Sequence, residues 1–197
     1  MKVVIVFNHP YEGSYCTAIL GAVTAGLKKA GHQIDLFHLD NDEFDPVMRA
    51  SDLKAYRDGT PRDPKVIAYR ERLVSAEHLI FIFPVWWELM PAMTKGFIDK
   101  VIFPGVAFDH DYSGRFPKMI KKLKLNGVTL ITTMNTPSLI YRLIFGNAIK
   151  RAIFTGTFWK LGYKNRKWLS LNMVKFVKEE KRIRWLNKIE NYFMCLN

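Results

Sequence analysis

The first segment that could do chemistry follows an apolar run near the start of the chain. Residues 8–16 have the sequence NHPYEGSYC and lead into a predicted helix. A helix N-terminus offers unpaired N–H groups and the positive end of a dipole, which suits a phosphate. Ser14 can cap this helix and donate its hydroxyl, and His9 can add a donor or a positive charge. Because the segment lacks the G-x-G-x-x-G and G-K-S/T patterns, an ordinary turn with a capping serine explains it equally well.

A second segment, residues 84–91, has the sequence PVWWELMP and follows the clearest buried strand of the chain. The adjacent Trp86 and Trp87 are difficult to bury together at a strand end. An aromatic loop at the carboxyl edge of a sheet suits a flat heteroaromatic ligand, through stacking and hydrogen bonds to its rim. We therefore favour a planar ligand over the alternative that both tryptophans pack in a core or a subunit interface.

A third segment lies at the end of another predicted strand. It consists of Thr132 and Thr133, followed by Met134 and Asn135. These residues could line the edge of a ring, or they could simply precede a capped helix. Together the three segments predict one pocket for a phosphate and one for a flat ring. Flavin mononucleotide (FMN) carries both groups, and its redox chemistry belongs to the cofactor rather than to the protein.

Alternating strands and helices must position these segments. Apolar runs predict strands over residues 2–7, 33–39, 78–84, 127–133 and 167–174, and residues at helical spacing predict helices between them. A strand, a helix and a strand within residues 2–39 form a βαβ unit, so the sheet should be parallel. Ligands of such sheets bind at the carboxyl ends of the strands. We predict one doubly wound α/β domain over residues 1–197.

The sequence also predicts the structure of four further segments. They are an irregular excursion over 41–64 with a short helix near 51–56, a long loop over 105–118, one helix over 138–155, and a terminal amphipathic helix over 178–195.

Composition limits the class of protein. The longest nearly apolar run, residues 79–87, is far shorter than the roughly 20 residues of a membrane-spanning helix, and no secretory signal is evident. Cys16 and Cys195 suggest two free thiols in a reducing compartment, so we expect a cytoplasmic protein. The formal net charge of +12 suits phosphorylated ligands, nucleic acid or an anionic membrane, or is a solvated basic surface.

At its loops the chain resembles the NAD(P)H:quinone oxidoreductase family of flavodoxin-like proteins. The motifs that carry the resemblance are VIVFNHP with Ser14, FPVWW through Pro91, KGFIDKV over 95–101 and GVAF over 105–108. The resemblance implies a flavodoxin-like three-layer α/β/α fold with a five-stranded parallel sheet in the order 2-1-3-4-5. It also implies a homodimer with flavin sites at its interface.

The resemblance further implies a ping-pong reaction. NADPH or NADH would give a hydride to the flavin and leave, and a quinone-like acceptor would then take two electrons. FMN is expected rather than FAD, because the long carboxyl-terminal extension of the mammalian enzymes is absent.

The family's site residues carry over by position in this sequence. His9, Ser14, Tyr15 and Cys16 would hold the phosphate side. Pro84, Val85, Trp86 and Trp87 would lie along the isoalloxazine, and Thr132, Thr133, Met134 and Asn135 at its pyrimidine edge.

Tyr141 matches a tyrosine that contacts substrate or reduced flavin, although packing at the interface explains it equally well. The family histidine six residues later is Asn147 here, and the third loop lacks the family's glycines. A proton relay through that position is therefore in doubt.

Other functions fit the sequence less well. A flavodoxin-like electron carrier is usually acidic, unlike this chain. A redox-sensing subunit that docks on a membrane transporter could use the basic residues 160–184, although a solvated surface is the simpler explanation. Nucleic-acid binding is disfavoured because basic and aromatic residues are not interleaved. The sequence does not distinguish NADH from NADPH.

Overall fold

The computed structural model describes residues 1–196 and is built on a five-stranded parallel sheet. The strands of the chain are β1 Lys2–Phe7, β2 Gln33–His38, β3 His78–Pro84, β4 Phe108–Asp111, β5 Lys118–Lys121, β6 Gly127–Met134 and β7 Arg166–Asn172. The parallel sheet has the order β2-β1-β3-β6-β7, and β4 and β5 form a separate antiparallel pair. The predicted order 2-1-3-4-5 is the same topology, with β6 and β7 as the fourth and fifth strands of the sheet.

Helices cover both faces of this sheet. They are α1 Tyr15–Lys29, α2 Ala50–Asp58, α3 Pro64–Val74, α4 Ala92–Val101, α5 Ser138–Leu143 and α6 Glu179–Met194, with a π-helix over Lys150–Trp159. None of the helices within residues 1–196 combines the length and the apolar character needed to cross a bilayer.

The central strands are buried on both faces, as expected for a sheet between two helical layers. Every residue of β3 and β6 is buried. Their alternating side chains enter two separate cores: Leu79 and Phe81 contact one helical layer, whereas Ile80 and Ile82 contact the other. This alternation fixes the register, because a slip of one residue would exchange the two faces.

Helices α1 and α6 form the layer on one face. Ile19, Val23 and Leu27 of α1 share a core with Ile189 and Phe193 of α6. The two helices approach so closely that a Cβ at Gly26 would lie 2.3 Å from the Glu190 carbonyl oxygen. At the other end of the pair, the Tyr15 hydroxyl donates to the Arg182 carbonyl, so the first turn of α6 lies beside the carboxyl edge of the sheet.

Two predicted segments differ from the structure. The loop predicted over 105–118 contains β4 and the first residue of β5, so it is part of a hairpin. The single helix predicted over 138–155 is interrupted, because Gly146 and Asn147 adopt positive φ angles of 62° and 54° between α5 and the π-helix.

Candidate active site

The three predicted loops lie together at one edge of the sheet. Strands β1, β3 and β6 are adjacent and parallel, so their carboxyl ends meet. They open into a cavity of about 460 Å³, a size typical of small-molecule sites. The residues that line it come from these three loops, from the segment after β7 and from α6: His9, Tyr11, Ser14, Tyr15, Cys16, Pro84, Val85, Trp86, Thr133, Met134, Asn135, Val174, Lys175 and Arg182.

One end of the cavity is the N-terminus of α1. Ser14 is the N-cap residue, and its hydroxyl oxygen accepts the N–H of Thr17 at 3.1 Å. The first turn of a helix retains N–H groups without helical partners, and the helix dipole favours an anion there. Since α1 has no acidic residue in its first turn, nothing in that turn opposes such an anion.

His9 stands beside this helix start in a defined tautomer. The backbone N–H of Tyr11 donates to His9 Nδ1 at 3.1 Å, so the neutral ring carries its proton on Nε2 and can donate it. Burial lowers the pKa of His9, an effect that Asp40 and the Tyr11 hydrogen bond partly oppose. His9 is therefore a neutral donor at pH 7 in the ligand-free protein.

A buried amide holds the end of β1 in place. Asn8 is buried; its Nδ2 donates to Asp40 at 2.8 Å, and its Oδ1 accepts the Thr94 hydroxyl at 3.0 Å. These bonds join β1 to the end of β2 and to α4, and they fix the backbone from which His9 projects.

Two residues of the first turn of α1 form the wall next to the helix start. The Tyr15 hydroxyl donates to the Arg182 carbonyl at 2.7 Å, and burial raises the pKa of Tyr15 to about 12. Cys16 Sγ lies 3.4 Å from the Thr133 hydroxyl, and burial raises the pKa of this thiol to about 11. Both side chains are therefore uncharged at neutral pH.

Two cations that were not predicted from the sequence, Lys175 and Arg182, also line the cavity. Lys175 follows β7, and its backbone N–H donates to the Asn135 side chain at 3.1 Å. Arg182 is in the first turns of α6. Neither belongs to an ion pair in the described part of the chain. The high density of basic residues over 160–184 was visible in the sequence, but not which side chains would face the cavity.

The aromatic loop after β3 is a tight turn. Trp86 and Leu89 exchange backbone hydrogen bonds, and the two residues between them, Trp87 and Glu88, have φ angles of 49° and 62°. Such a turn normally contains asparagine or glycine, because positive φ is unfavourable for large side chains. The side chain of Trp87 is 98% exposed.

Hydrogen bonds from the third loop and from α5 support this turn. The Thr136 hydroxyl donates to Glu88 Oε1 at 2.6 Å, and the Tyr141 hydroxyl donates to the Glu88 carbonyl at 2.9 Å. The same Tyr141 oxygen accepts the N–H of Ile149 at 3.0 Å. The turn is thus held in its unfavourable conformation by side chains from a neighbouring segment.

The cavity brings together most of the predicted site residues. His9, Ser14, Tyr15, Cys16, Pro84, Val85, Trp86, Thr133, Met134 and Asn135 line it. Thr132 faces away and accepts the indole N–H of Trp168 at 3.0 Å, whereas Trp87 is at the exposed tip of its turn.

Tyr141 does not line this cavity. It is buried, and it borders a separate cavity of about 280 Å³ that also contains Asn147, Trp168 and Asn172. Its hydroxyl already donates one hydrogen bond and accepts another within the fold. A catalytic role for Tyr141 stays a prediction.

Comparison with known proteins gives the family. Residues 1–192 match the model of the family described as having a flavodoxin-like fold. The uncharacterized NAD(P)H oxidoreductase YcaK of Escherichia coli K12 is 29% identical over 119 residues, which are 60% of this chain and 61% of YcaK. NAD(P)H dehydrogenase [quinone] 1 of Rattus norvegicus is 26% identical over 126 residues, which are 55% of this chain and 46% of the rat protein. The chain thus spans less than two thirds of the length of either relative.

A solved structure covers the whole chain. The crystal structure of Smu.1420 from Streptococcus mutans UA159 superimposes with a TM-score of 0.86 at 28% identity, covering 100% of both chains. Since the family model extends over almost the entire sequence and this neighbour shares the full architecture, the chain belongs to the flavodoxin-like fold family.

Proposed function

We propose that this protein is a flavin-dependent NAD(P)H oxidoreductase that binds FMN and passes two electrons to a quinone-like acceptor. One observation carries the proposal: a single cavity joins an anion-binding helix N-terminus to an aromatic loop at the carboxyl edge of the sheet. Relatives named as NAD(P)H oxidoreductases and NAD(P)H dehydrogenases [quinone] support it. A fold neighbour from Bacillus anthracis, described as an FMN-dependent NADH-azoreductase in complex with FMN, agrees with it.

The chain's own residues fit the phosphate of FMN. The first turn of α1 would supply backbone N–H donors, His9 would donate from Nε2, and Ser14 would contribute its hydroxyl. Arg182 and Lys175 would neutralise the phosphate charge from the opposite wall, because both are cations without an ion-pair partner in the described residues. Tyr15 and Cys16 add no charge that would repel an anion.

The other end of the cavity fits a flat ring. Pro84, Val85 and Trp86 would lie along the isoalloxazine, and Thr133, Met134 and Asn135 would face its edge. The hydrogen bonds from Thr136 and Tyr141 would keep the Trp86–Leu89 turn in place, so we assign Tyr141 as a positioning residue.

When bound, FMN supplies the redox chemistry: it accepts a hydride from NADPH or NADH and returns two electrons to the acceptor. The protein would expose one face of the ring and keep its surroundings dry. The nicotinamide and the acceptor would use that face in turn, which gives a ping-pong reaction.

We propose that the protein acts as a homodimer in the cytoplasm. An exposed apolar surface on α5 and the residues after it lies near the aromatic loop and includes Leu139, Leu143, Ile144 and Phe145. Exposed apolar patches of this kind commonly mark interaction sites. The two cysteines, Cys16 and Cys195, are free, as is usual in a reducing compartment.

A spectroscopic experiment tests the function. The purified protein is incubated with FMN, FAD or riboflavin, freed of unbound ligand, and examined for flavin absorbance near roughly 450 nm. We expect retention of FMN, loss of the band on anaerobic addition of NADPH or NADH, and its return with benzoquinone. Protein that retains none of the three flavins would contradict the proposal. A flavoprotein that is not bleached by either nucleotide would instead be an electron carrier.

A further inference from the structure

A groove runs along the outer edge of the parallel sheet, apart from the flavin cavity. Strand β7 is an edge strand, with β6 as its neighbour. The groove, of about 430 Å³, is lined by residues 167–171 of β7 and by Trp185, Lys188, Ile189 and Tyr192 of α6. None of these residues lines the flavin cavity, so the proposed function does not explain the groove.

The outer side of β7 offers backbone groups for one more strand. The Val128 N–H donates to the Asn165 carbonyl at 2.9 Å. Since backbone groups alternate in direction along a strand, the N–H and C=O groups of Trp168 and Ser170 point away from β6. No group within residues 1–196 bonds to them. An exposed strand edge of this kind is a template for pairing with another chain.

The floor of the groove is apolar. Leu169 of β7 and Trp185 and Tyr192 of α6 are half-buried and pack against the core beneath α1 and α6. An added strand would therefore cover apolar area that the subunit leaves partly exposed, which favours its binding.

The rim of the groove is basic. Lys167 and Lys188 are exposed, and neither forms an ion pair in the described part of the chain. No acidic side chain is among the residues that line the groove. Glu190 of α6 pairs with Lys29 of α1, and the acidic residues 179–180 lie about two turns before Lys188. Positive charge beside an apolar floor suits a ligand that carries carboxylates.

The groove and the proposed dimer surface lie on opposite faces of the sheet. Leu169 and Trp185 pack against the core beneath α1 and α6, whereas Tyr141 of α5 belongs to the core on the other face. A homodimer formed through α5 and the aromatic loop would thus leave the groove open to another partner.

We propose that this groove binds an extended acidic segment of another protein, which adds to the sheet as a strand beside β7. The backbone of the segment would bond to the outward groups of Trp168 and Ser170, and its alternate side chains would face the groove. An apolar side chain would cover Leu169, and carboxylates on either side of it would reach Lys167 and Lys188. The seven residues of β7 span roughly 20 Å, so a segment of about six residues suffices.

A second copy of the chain suits this edge less well. Each copy carries a net charge of +12, and pairing of two β7 strands would bring Lys167 and Lys188 of both copies to one small surface. Like charges on neighbouring strands are destabilising. An acidic segment replaces this repulsion with attraction.

Peptide binding tests the proposal. The full chain is used without flavin or nucleotide, so the outcome does not depend on the proposed function. The probe is a fluorescein-labelled peptide of about seven residues, in which threonine alternates with glutamate, valine and glutamate. Its sequence reads the same in both directions, so it fits a parallel or an antiparallel strand. We expect saturable binding by fluorescence anisotropy, weakened roughly tenfold between about 0.05 and about 0.5 M salt. No binding at low salt would overturn the proposal.

Matched peptides test the two parts of the recognition. Glutamine in place of both glutamates should weaken binding roughly fivefold, since exposed ion pairs contribute modestly. N-methylation of the glutamates and the valine blocks the N–H groups on one edge of the strand, and N-methylation of the threonines blocks the other edge. Strand addition requires that one methylated peptide lose binding and the other retain it. Undiminished binding of the glutamine peptide, or the same result for both methylated peptides, would overturn the proposal.

Variants of the protein locate the site. Lys167→Gln with Lys188→Gln should weaken binding of the acidic peptide roughly fivefold. The matched control, Lys28→Gln with Lys54→Gln, removes two exposed cations elsewhere on the surface and should leave binding unchanged. Equal loss in both double variants would mean general attraction to a basic protein, and the groove would not be the site.

Amide hydrogen exchange gives a measurement that needs no variant. The N–H groups of Trp168 and Ser170 should exchange rapidly in the ligand-free protein and roughly tenfold or more slowly with saturating peptide. The N–H of Leu36 points outward from β2, the opposite edge strand, and should not change. If Trp168 and Ser170 stay unprotected, the peptide does not add to β7 and the proposal is wrong. Protection that rises with protein concentration in the absence of peptide would mean that a second copy covers the edge, which also overturns it.

Discussion

At the scale of single residues, the cavity combines neutral titratable groups near the start of α1 with two cations. Tyr15 and Cys16 have raised pKa values of about 12 and about 11, because burial favours their neutral forms. His9 is neutral because burial lowers its pKa. The positive charge of the cavity therefore comes from Lys175 and Arg182, two residues that the sequence motifs did not include.

Substitution of Arg182 should weaken FMN binding through the phosphate. We expect Arg182→Gln to raise the FMN dissociation constant about 10- to 100-fold, since a hydrogen bond to a charged group contributes about 1.5–3 kcal/mol. Titration by quenching of flavin fluorescence measures the change. The Tyr15 hydroxyl bonds to the Arg182 backbone, so the substitution leaves that contact in place.

Two controls separate this effect from a general loss of charge. Arg184→Gln removes an exposed cation of the same helix and should leave FMN binding unchanged. Riboflavin, which has no phosphate, should bind equally to the original protein and to the Arg182 variant. An equal loss for riboflavin would mean that Arg182 does not contact the phosphate.

The thiol of Cys16 should resist alkylation. Its pKa of about 11 lies above the ordinary 9.0, so at pH 8 the thiolate fraction is about a hundredfold smaller than for a free cysteine. Mass spectrometry after iodoacetamide treatment should show Cys195, which is exposed, modified first. Modification of Cys16 should accelerate only as the pH approaches 11, or when urea unfolds the protein. Alkylation of Cys16 at pH 8 at the rate of Cys195 would contradict this assignment.

At the scale of elements, the sequence predicted the strands that burial dictates and missed the elements that lack an apolar pattern or depend on long-range contacts. Strands β1 and β3 are almost continuous apolar runs, and β6 alternates apolar residues with threonines. Short segments of this composition are typical of buried strands in an α/β sheet. The hairpin strands were missed because β4 is FDHD and β5 is KMIK, so neither has the apolar character of a core strand.

The interrupted helix was missed for a different reason. Its apolar spacing continues through residues 138–155, but the Tyr141 hydroxyl accepts the N–H of Ile149, and Gly146 and Asn147 turn the chain between them. The same tyrosine also holds the aromatic turn, so a long-range contact decides both features. Single-sequence patterns do not contain that information.

The Trp86–Leu89 turn gives the prediction that belongs to this scale. Trp87→Asn should raise the free energy of unfolding of the isolated subunit by ~1 kcal/mol, because asparagine tolerates the φ of 49° that tryptophan adopts at a cost. Urea unfolding at low protein concentration measures the gain. If Trp87 contributes to the proposed dimer interface, sedimentation velocity should show weaker dimerisation of the same variant.

A control variant tests whether any exposed tryptophan would behave in this way. Trp159 is 61% exposed but belongs to the π-helix, so Trp159→Asn should bring no gain in stability, because asparagine is a poor helix former. If Trp87→Asn instead destabilises the subunit, the indole makes stabilising contacts that outweigh the strain of the turn.

At the scale of the whole molecule, the net charge of +12 produces a long-range field. Such a field attracts anionic ligands and accelerates their encounter with the protein, and added salt screens it. The two cations of the cavity, Lys175 and Arg182, would add to the field at the proposed entry of NADPH. A basic surface thus favours the capture of an anionic reductant, whereas the acidic surface of an electron carrier would repel it.

The rate of flavin reduction should therefore depend on ionic strength in a way that the charge of the reductant controls. Between about 0.02 and about 0.3 M salt, we expect kcat/KM for NADPH to fall roughly tenfold as the Debye length shortens. An uncharged N-benzyl dihydronicotinamide should change less than about twofold over the same range, because it carries no phosphate for the field to attract. Stopped-flow reduction of the FMN-loaded protein measures both. If the two reductants show the same salt dependence, the field does not guide the nucleotide, and the positive surface plays no part in its capture.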